Sequence, residues 1–126
     1  ESVRVIANPL IATGPDRATV EAEREAAREV LAFTYSTPAY WATLEHHGWD
    51  IGPKLLEKTR QGDWPGMKGV ITEAILEVLV PAATFEGISE LVRRRYGGLA
   101  DGVCLRMPAD PMRDEAFRDV VESLRA

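Results

Sequence analysis

The residues with the most chemical potential in this chain sit between positions 35 and 49, in the run Tyr-Ser-Thr-Pro-Ala-Tyr-Trp-Ala-Thr-Leu-Glu-His-His-Gly-Trp. Two adjacent imidazoles, His46 and His47, are candidates for proton transfer or metal ligation. Adjacent residues on a helix point to different faces, however, so they do not form the same-face pair, four residues apart, that a zinc site uses. The commoner state of such a residue is a buried, hydrogen-bonded histidine, and no metal is expected. Tyr35, Tyr40 and Trp41 offer flat apolar faces suited to a substrate wall, although aromatics at helical spacing usually pack a core. The triplet Arg93-Arg94-Arg95 could grip a phosphate, but it falls at the end of a helix, where cations offset the dipole and anions are disfavoured. There is no phosphate-binding glycine loop, nucleophile motif or Cys/His cluster. The single Cys104 lies in an apolar run and reads as a small buried hydrophobe in a reducing compartment.

These groups need elements to hold them. Residues 3–11 are β-branched and aliphatic and end at Thr13-Gly14-Pro15, which reads as a strand closing in a turn. A helix should start at Pro15, with Asp16 in its first turn and Val20, Ala27, Val30 and Leu31 inward. A short helix from Pro38 to His47 would place Tyr40, Leu44 and His47 on one stripe, and another, 51–60, turns Leu55 and Leu56 inward. After a turn at 61–66, Val70, Ile71, Ala74, Ile75, Val78 and Leu79 keep helical spacing over what reads as one long helix that Pro81 stops. Thr84 is a candidate N-cap for a helix with Ile88, Leu91 and Val92 inward, ending at Gly97-Gly98. Residues 103–107 read as a second strand covered on both faces. Residues 114–124 close the chain as an amphipathic helix with Phe117, Val120, Val121 and Leu124 inward.

With 126 residues and 45% hydrophobic content, the chain has the size and core of one unit spanning residues 1–126. A formal charge of −5 argues against a phosphate-backbone binder, so no nucleic acid is expected. No apolar run approaches a membrane span, which points to no membrane association and a cytoplasmic location. The chain begins at Glu1, which suggests a processed or excised segment. Two strands buried on both faces do not make a stable sheet alone, so bare strand edges should draw in a second copy, as in a homo-oligomer.

Several short runs are similar to the C-terminal part of luciferase-like oxidoreductases, in the branch that uses coenzyme F-420. They are Ala32-Phe33 before Tyr35, Ser36-Thr37-Pro38-Ala39-Tyr40, His47-Gly48-Trp49, Gly62-Asp63-Trp64 and Tyr96-Gly97-Gly98 with Asp101. Where many relatives have Gly-Thr-Pro-Glu, this chain has Ala83-Thr84-Phe85-Glu86 and so departs from the pattern. The resemblance covers residues up to about Pro108. It implies an α/β fold, the helix-rich C-terminal fragment of a (β/α)8 barrel with two parallel strands plus several helices. It also implies a parent enzyme carrying out hydride transfer or monooxygenation of a small-molecule substrate with F-420 or FMN, bound mainly by residues outside this chain, so that the fragment alone is inactive. Barrel topology then turns Ala12, Thr13, Gly14, Met107 and Pro108 toward the mouth, leaving Thr13, Tyr35, Tyr40 and Trp41 as substrate-pocket candidates. Catalytic and cofactor-binding residues are not assigned. The rival reading is a non-enzymatic helical module that binds a hydrophobic ligand or a partner protein, lined by Tyr40, Trp41 and Trp49.

Overall fold

A computed structural model describes residues 2–126 and shows an α/β, helix-rich chain. It divides into two compact units, one of residues up to Arg24 together with Glu77–Ala126, the other Glu25–Leu76. The divisions fall inside helices α1 (Arg17–Tyr35) and α5 (Glu73–Leu79).

The first unit holds all the strands found among the described residues. β1 (Ile6–Ala7) pairs in parallel with β4 (Gly102–Val103), Ile6 opposite Gly102 and Ala7 opposite Val103. Asp101 fixes this register from both its backbone and its side chain: its N–H donates to Val5 O at 2.7 Å and its carboxylate accepts from Val5 N at 2.7 Å. The predicted parallel pairing of the two strand regions therefore holds. β2 (Ala12–Gly14) pairs in parallel with β3 (Ala82–Thr84), a strand not expected from sequence. Pro9, which has no N–H to donate, lies in the gap between β1 and β2.

Helix α6 (Phe85–Tyr96) packs on β2 and β3, and α7 (Asp114–Arg125) packs on α6. Ile88, Val92 and Val120 form a buried cluster, with Phe85, Leu91, Val103 and Leu124 packed against it. Phe85 and Phe117 meet with ring centroids 6.0 Å apart. Thr84 takes the N-cap position of α6 in extended conformation, but its hydroxyl makes no capping bond. Arg95, in the last turn of α6, donates to Glu77 O at 2.8 Å and Val78 O at 2.9 Å, and Arg93 donates to Ser123 O. Two of the three arginines are thus used on backbone carbonyls at helix ends, as the dipole argument anticipates.

The second unit is helical: after α1 come a 3-10 turn (Pro38–Tyr40), α2 (Trp41–His46), α3 (Gly52–Gln61), α4 (Trp64–Val70) and the first part of α5. Gly62 closes α3 at φ 68°, a left-handed position suited to glycine. Asp63 then caps α4, accepting from Gly66 N at 3.0 Å, and also takes a 2.9 Å bond from Lys58 Nζ. Those two partners, Lys58 first, hold the Asp63 carboxyl below its usual range. A depressed folded-state value means that the stabilisation is present above the unfolded value near 4 and is lost as pH falls through the folded one. Asp63→Asn is therefore expected to be less stable at neutral pH and to lose less stability on acidification below about pH 4. Parallel denaturation curves at neutral and acid pH would refute this if the two proteins kept a constant gap.

Several expectations are corrected. The single long helix over 70–79 is two helices, α4 and α5, broken at Ile71 and Thr72. Ile71 is extended (ψ 102°), Thr72 Oγ1 accepts from Ile75 N at 3.3 Å to start α5, and Arg28 donates to Ile71 O and to Glu73. The break changes the inward set: Leu76 and Val80 are buried, while Ala74 and Val78 are exposed. The Asp16 carboxylate accepts Thr19 N–H at 2.8 Å, so α1 starts at Arg17 rather than Pro15, and Val30 is exposed on it. The second strand is shorter than 103–107, ending at Val103, although Cys104 N still donates to Ala7 O. No layer of the described chain covers its outer side, so Cys104 and Met107 are exposed rather than buried. His46 and His47 are also exposed, because the six-residue α2 buries only Leu44; Tyr40 and His47 do not share its buried side.

Candidate functional site

Parallel strands present their C-terminal ends together, and that end is where α/β folds build pockets. In the first unit β2 runs into Gly14, whose missing side chain is required: a Cβ there would lie 2.7 Å from Thr19 Cβ. The chain thereby turns directly from β2 into the Asp16-capped start of α1, and the Asp16 carboxyl is lowered chiefly by the Thr19 backbone N–H.

A small pocket of about 60 Å³ opens beside this turn, bounded by Ile11, Thr13, Glu23, Arg106, Met107 and Pro108, among others. Barrel topology turns Ala12, Thr13, Gly14, Met107 and Pro108 toward one mouth; of these Thr13, Met107 and Pro108 line this pocket, while Ala12 and Gly14 are buried and do not. The Thr13 hydroxyl is buried with no hydrogen-bond partner among the described residues. An unpartnered buried hydroxyl costs about 1 to 3 kcal/mol, so its retention calls for an explanation. Glu23 and Arg106 supply one acceptor and one cationic donor set at the same pocket. Sequence reasoning did not select either. The available signals were Arg106 interrupting the apolar run 103–107 and Glu23 lying in the second turn of the helix that follows Thr13.

The other three candidates lie in the second unit, so the structure assigns Thr13 and the aromatic residues to different bodies. Tyr35 and Trp41 are brought together: Trp41 Nε1 donates to Tyr35 O at 2.9 Å. The Trp41 indole also lies over Gly52, where a Cβ would stand 2.6 Å from the ring. Its polar atom and one of its faces are thus occupied by the fold. Tyr40 is exposed, and the His47 ring stacks on Trp49 at 4.4 Å between centroids. No cluster of metal-ligating side chains occurs among the described residues, and no helix among them is long and apolar enough to cross a membrane.

The chain is similar to uncharacterized proteins of Mycobacterium bovis and Mycobacterium tuberculosis, 37% identical over 95 residues. That match takes in 75% of this chain but only 28% of each relative, so the chain spans under a third of the length of the curated relatives it matches. No protein-family profile matches it, and no solved structure does.

Proposed function

We propose that the chain is the C-terminal part of a luciferase-like oxidoreductase that works with F-420 or FMN on a small organic substrate in the cytoplasm, and that Thr13, Glu23 and Arg106 form the substrate end of its site. The observation that carries this reading is the buried, unpartnered hydroxyl of Thr13, a residue that lines a pocket at the C-terminal end of the parallel strands. Relatives more than three times the length of the matched segment are in keeping with a larger parent.

The pocket does not fit the cofactor. Sites for drug-sized ligands run to about 300 to 1,000 Å³, several times the volume here, and a tricyclic ring would need walls from elsewhere in the parent. What this pocket suits is one polar group of a substrate, with Thr13 able to donate or accept, Arg106 to donate and Glu23 to accept.

Thr13→Val tests the assignment through two readouts that move in opposite directions. Removing an unsatisfied hydroxyl at nearly constant shape should leave the isolated chain as stable or raise its stability by about 1 kcal/mol in chemical denaturation. In the complete native protein the same change should lower kcat/KM for cofactor-dependent turnover by about tenfold, the worth of one hydrogen bond to substrate. Lost stability together with unchanged turnover would show that the hydroxyl serves the fold alone.

A further inference from the structure

Only two of the residues that line the pocket beside Thr13 carry charge, Glu23 from α1 and Arg106 from the chain after β4. The walls other than these and Thr13 are apolar, among them Ile11, Leu105 and Pro108. Opposite charges on one small pocket would ordinarily pair, yet no ion pair joins Glu23 to Arg106, or either of them to any other described residue. Glu23 stands apart from the other carboxylates in this respect. Asp63 and Glu23 are the partly buried acidic residues among those described, the rest being exposed. Asp63 is held by Lys58 Nζ and the Gly66 N–H, whereas the Glu23 carboxylate accepts no hydrogen bond from a described residue. The pocket thus presents one anion and one cation, both unsatisfied by the fold.

We propose that this pocket, read as above as the substrate end of the site, takes the α-amino-acid end of a zwitterionic substrate, with the ammonium toward Glu23 and the carboxylate toward Arg106. Charge selects this class. A purely anionic group is drawn by Arg106 and repelled by Glu23, and a purely cationic group meets the reverse. A neutral polar group gains nothing from either charge beyond a hydrogen bond. A zwitterion satisfies both at once, and the apolar walls keep water from between the charges, which strengthens each attraction. Size agrees with charge: about 10 to 15 Å³ admits one water, so a pocket of about 60 Å³ takes a group of about four to six heavy atoms, and an ammonium and a carboxylate on one carbon amount to about five.

Titration of the 126-residue chain with glycine, acetate and methylammonium, followed by the NMR shifts of the Thr13 and Arg106 amides, tests this without any cofactor. Glycine is expected to shift both amides saturably at millimolar concentration, with acetate and methylammonium weaker by about tenfold or more. Glu23→Gln should remove the bar against anions, so that acetate binds as well as glycine, and Arg106→Gln should do the same for methylammonium. Neither side chain has a partner in the fold to lose, and the comparison of the three probes on the unaltered chain needs no variant. No saturable shift with glycine, an equal or better response to either singly charged probe, or variants that keep the parent's order of preference would each overturn the proposal. Because no cofactor enters, the two readings fail separately. A preference for glycine in a protein whose complete form binds neither F-420 nor FMN would remove the oxidoreductase reading and leave the zwitterion site standing, while cofactor binding without that preference would do the reverse.

Discussion

Ile88→Ala is expected to cost about 3 kcal/mol and to loosen the first unit more than any surface change. Ile88 is fully buried, in the cluster where α6 meets Val120 of α7 and where Ile11, Ala83 and Val103 of the strand regions also pack. Truncation there removes three carbons from a site with neighbours on both the helix and the strand side, so the cavity is poorly filled by relaxation. Large-to-small substitutions in such places cost about 2 to 5 kcal/mol. Because the β1–β4 and β2–β3 ladders are only two and three residues long, they have little stability of their own. Amide exchange at Ala12 and Cys104, whose N–H groups are bound to Pro81 O and Ala7 O, should accelerate together with global unfolding. A loss under about 1 kcal/mol would mean that α6 is not the element that holds the strands.

Gly52→Val should damage the second unit by about 2 to 3 kcal/mol, the range for overpacking a close contact. The Cβ it introduces falls 2.6 Å from the Trp41 ring, over the same part of the indole that is held by the Nε1 bond to Tyr35 O. The indole has to move, which breaks that bond and exposes the ring, so tryptophan emission should shift to the red. Gly52→Ala places its Cβ in the same spot and should produce a smaller version of the same shift. Unchanged emission and stability in the valine variant would show that the ring is free to swing, and with it available to a ligand.

The elements that were legible in the sequence are those whose boundaries are set locally. The amphipathic repeat of α7, the Gly62 stop of α3 and the Gly97 end of α6 are fixed by side chains within a turn of themselves. The two strand regions were also legible, from β-branched residues at one end and an apolar run at the other, while their parallel pairing was what the family resemblance implied. What was hidden depends on distant partners. The spacing of apolar residues from 70 to 79 is continuous, but Arg28, 43 residues away from Ile71, binds the carbonyl at the break. β3 is only Ala82-Ala83-Thr84, too short and too small in its side chains to show a strand pattern, and Thr84 looks like a cap before it looks like a strand residue. Exposure of Cys104, His46 and His47 turns on which layers lie over them, which no local pattern encodes. At the pocket, the barrel topology implied by the resemblance had named Thr13, which lines it. Glu23 and Arg106 were missed because each, taken singly, is an ordinary charged residue, and only the fold brings them to one pocket.

The central claim is that this chain carries the substrate end of a larger site whose cofactor walls lie elsewhere in the parent. Fluorescence titration of the isolated chain and of the complete native protein with F-420 and with FMN tests it most directly. The complete protein should bind one of them with micromolar affinity, while the 126-residue chain should show no saturable binding at concentrations about 100-fold higher, because on the proposed reading most of the binding surface lies outside it. Micromolar binding by the isolated chain, or no binding of either cofactor by the complete protein, would contradict the account.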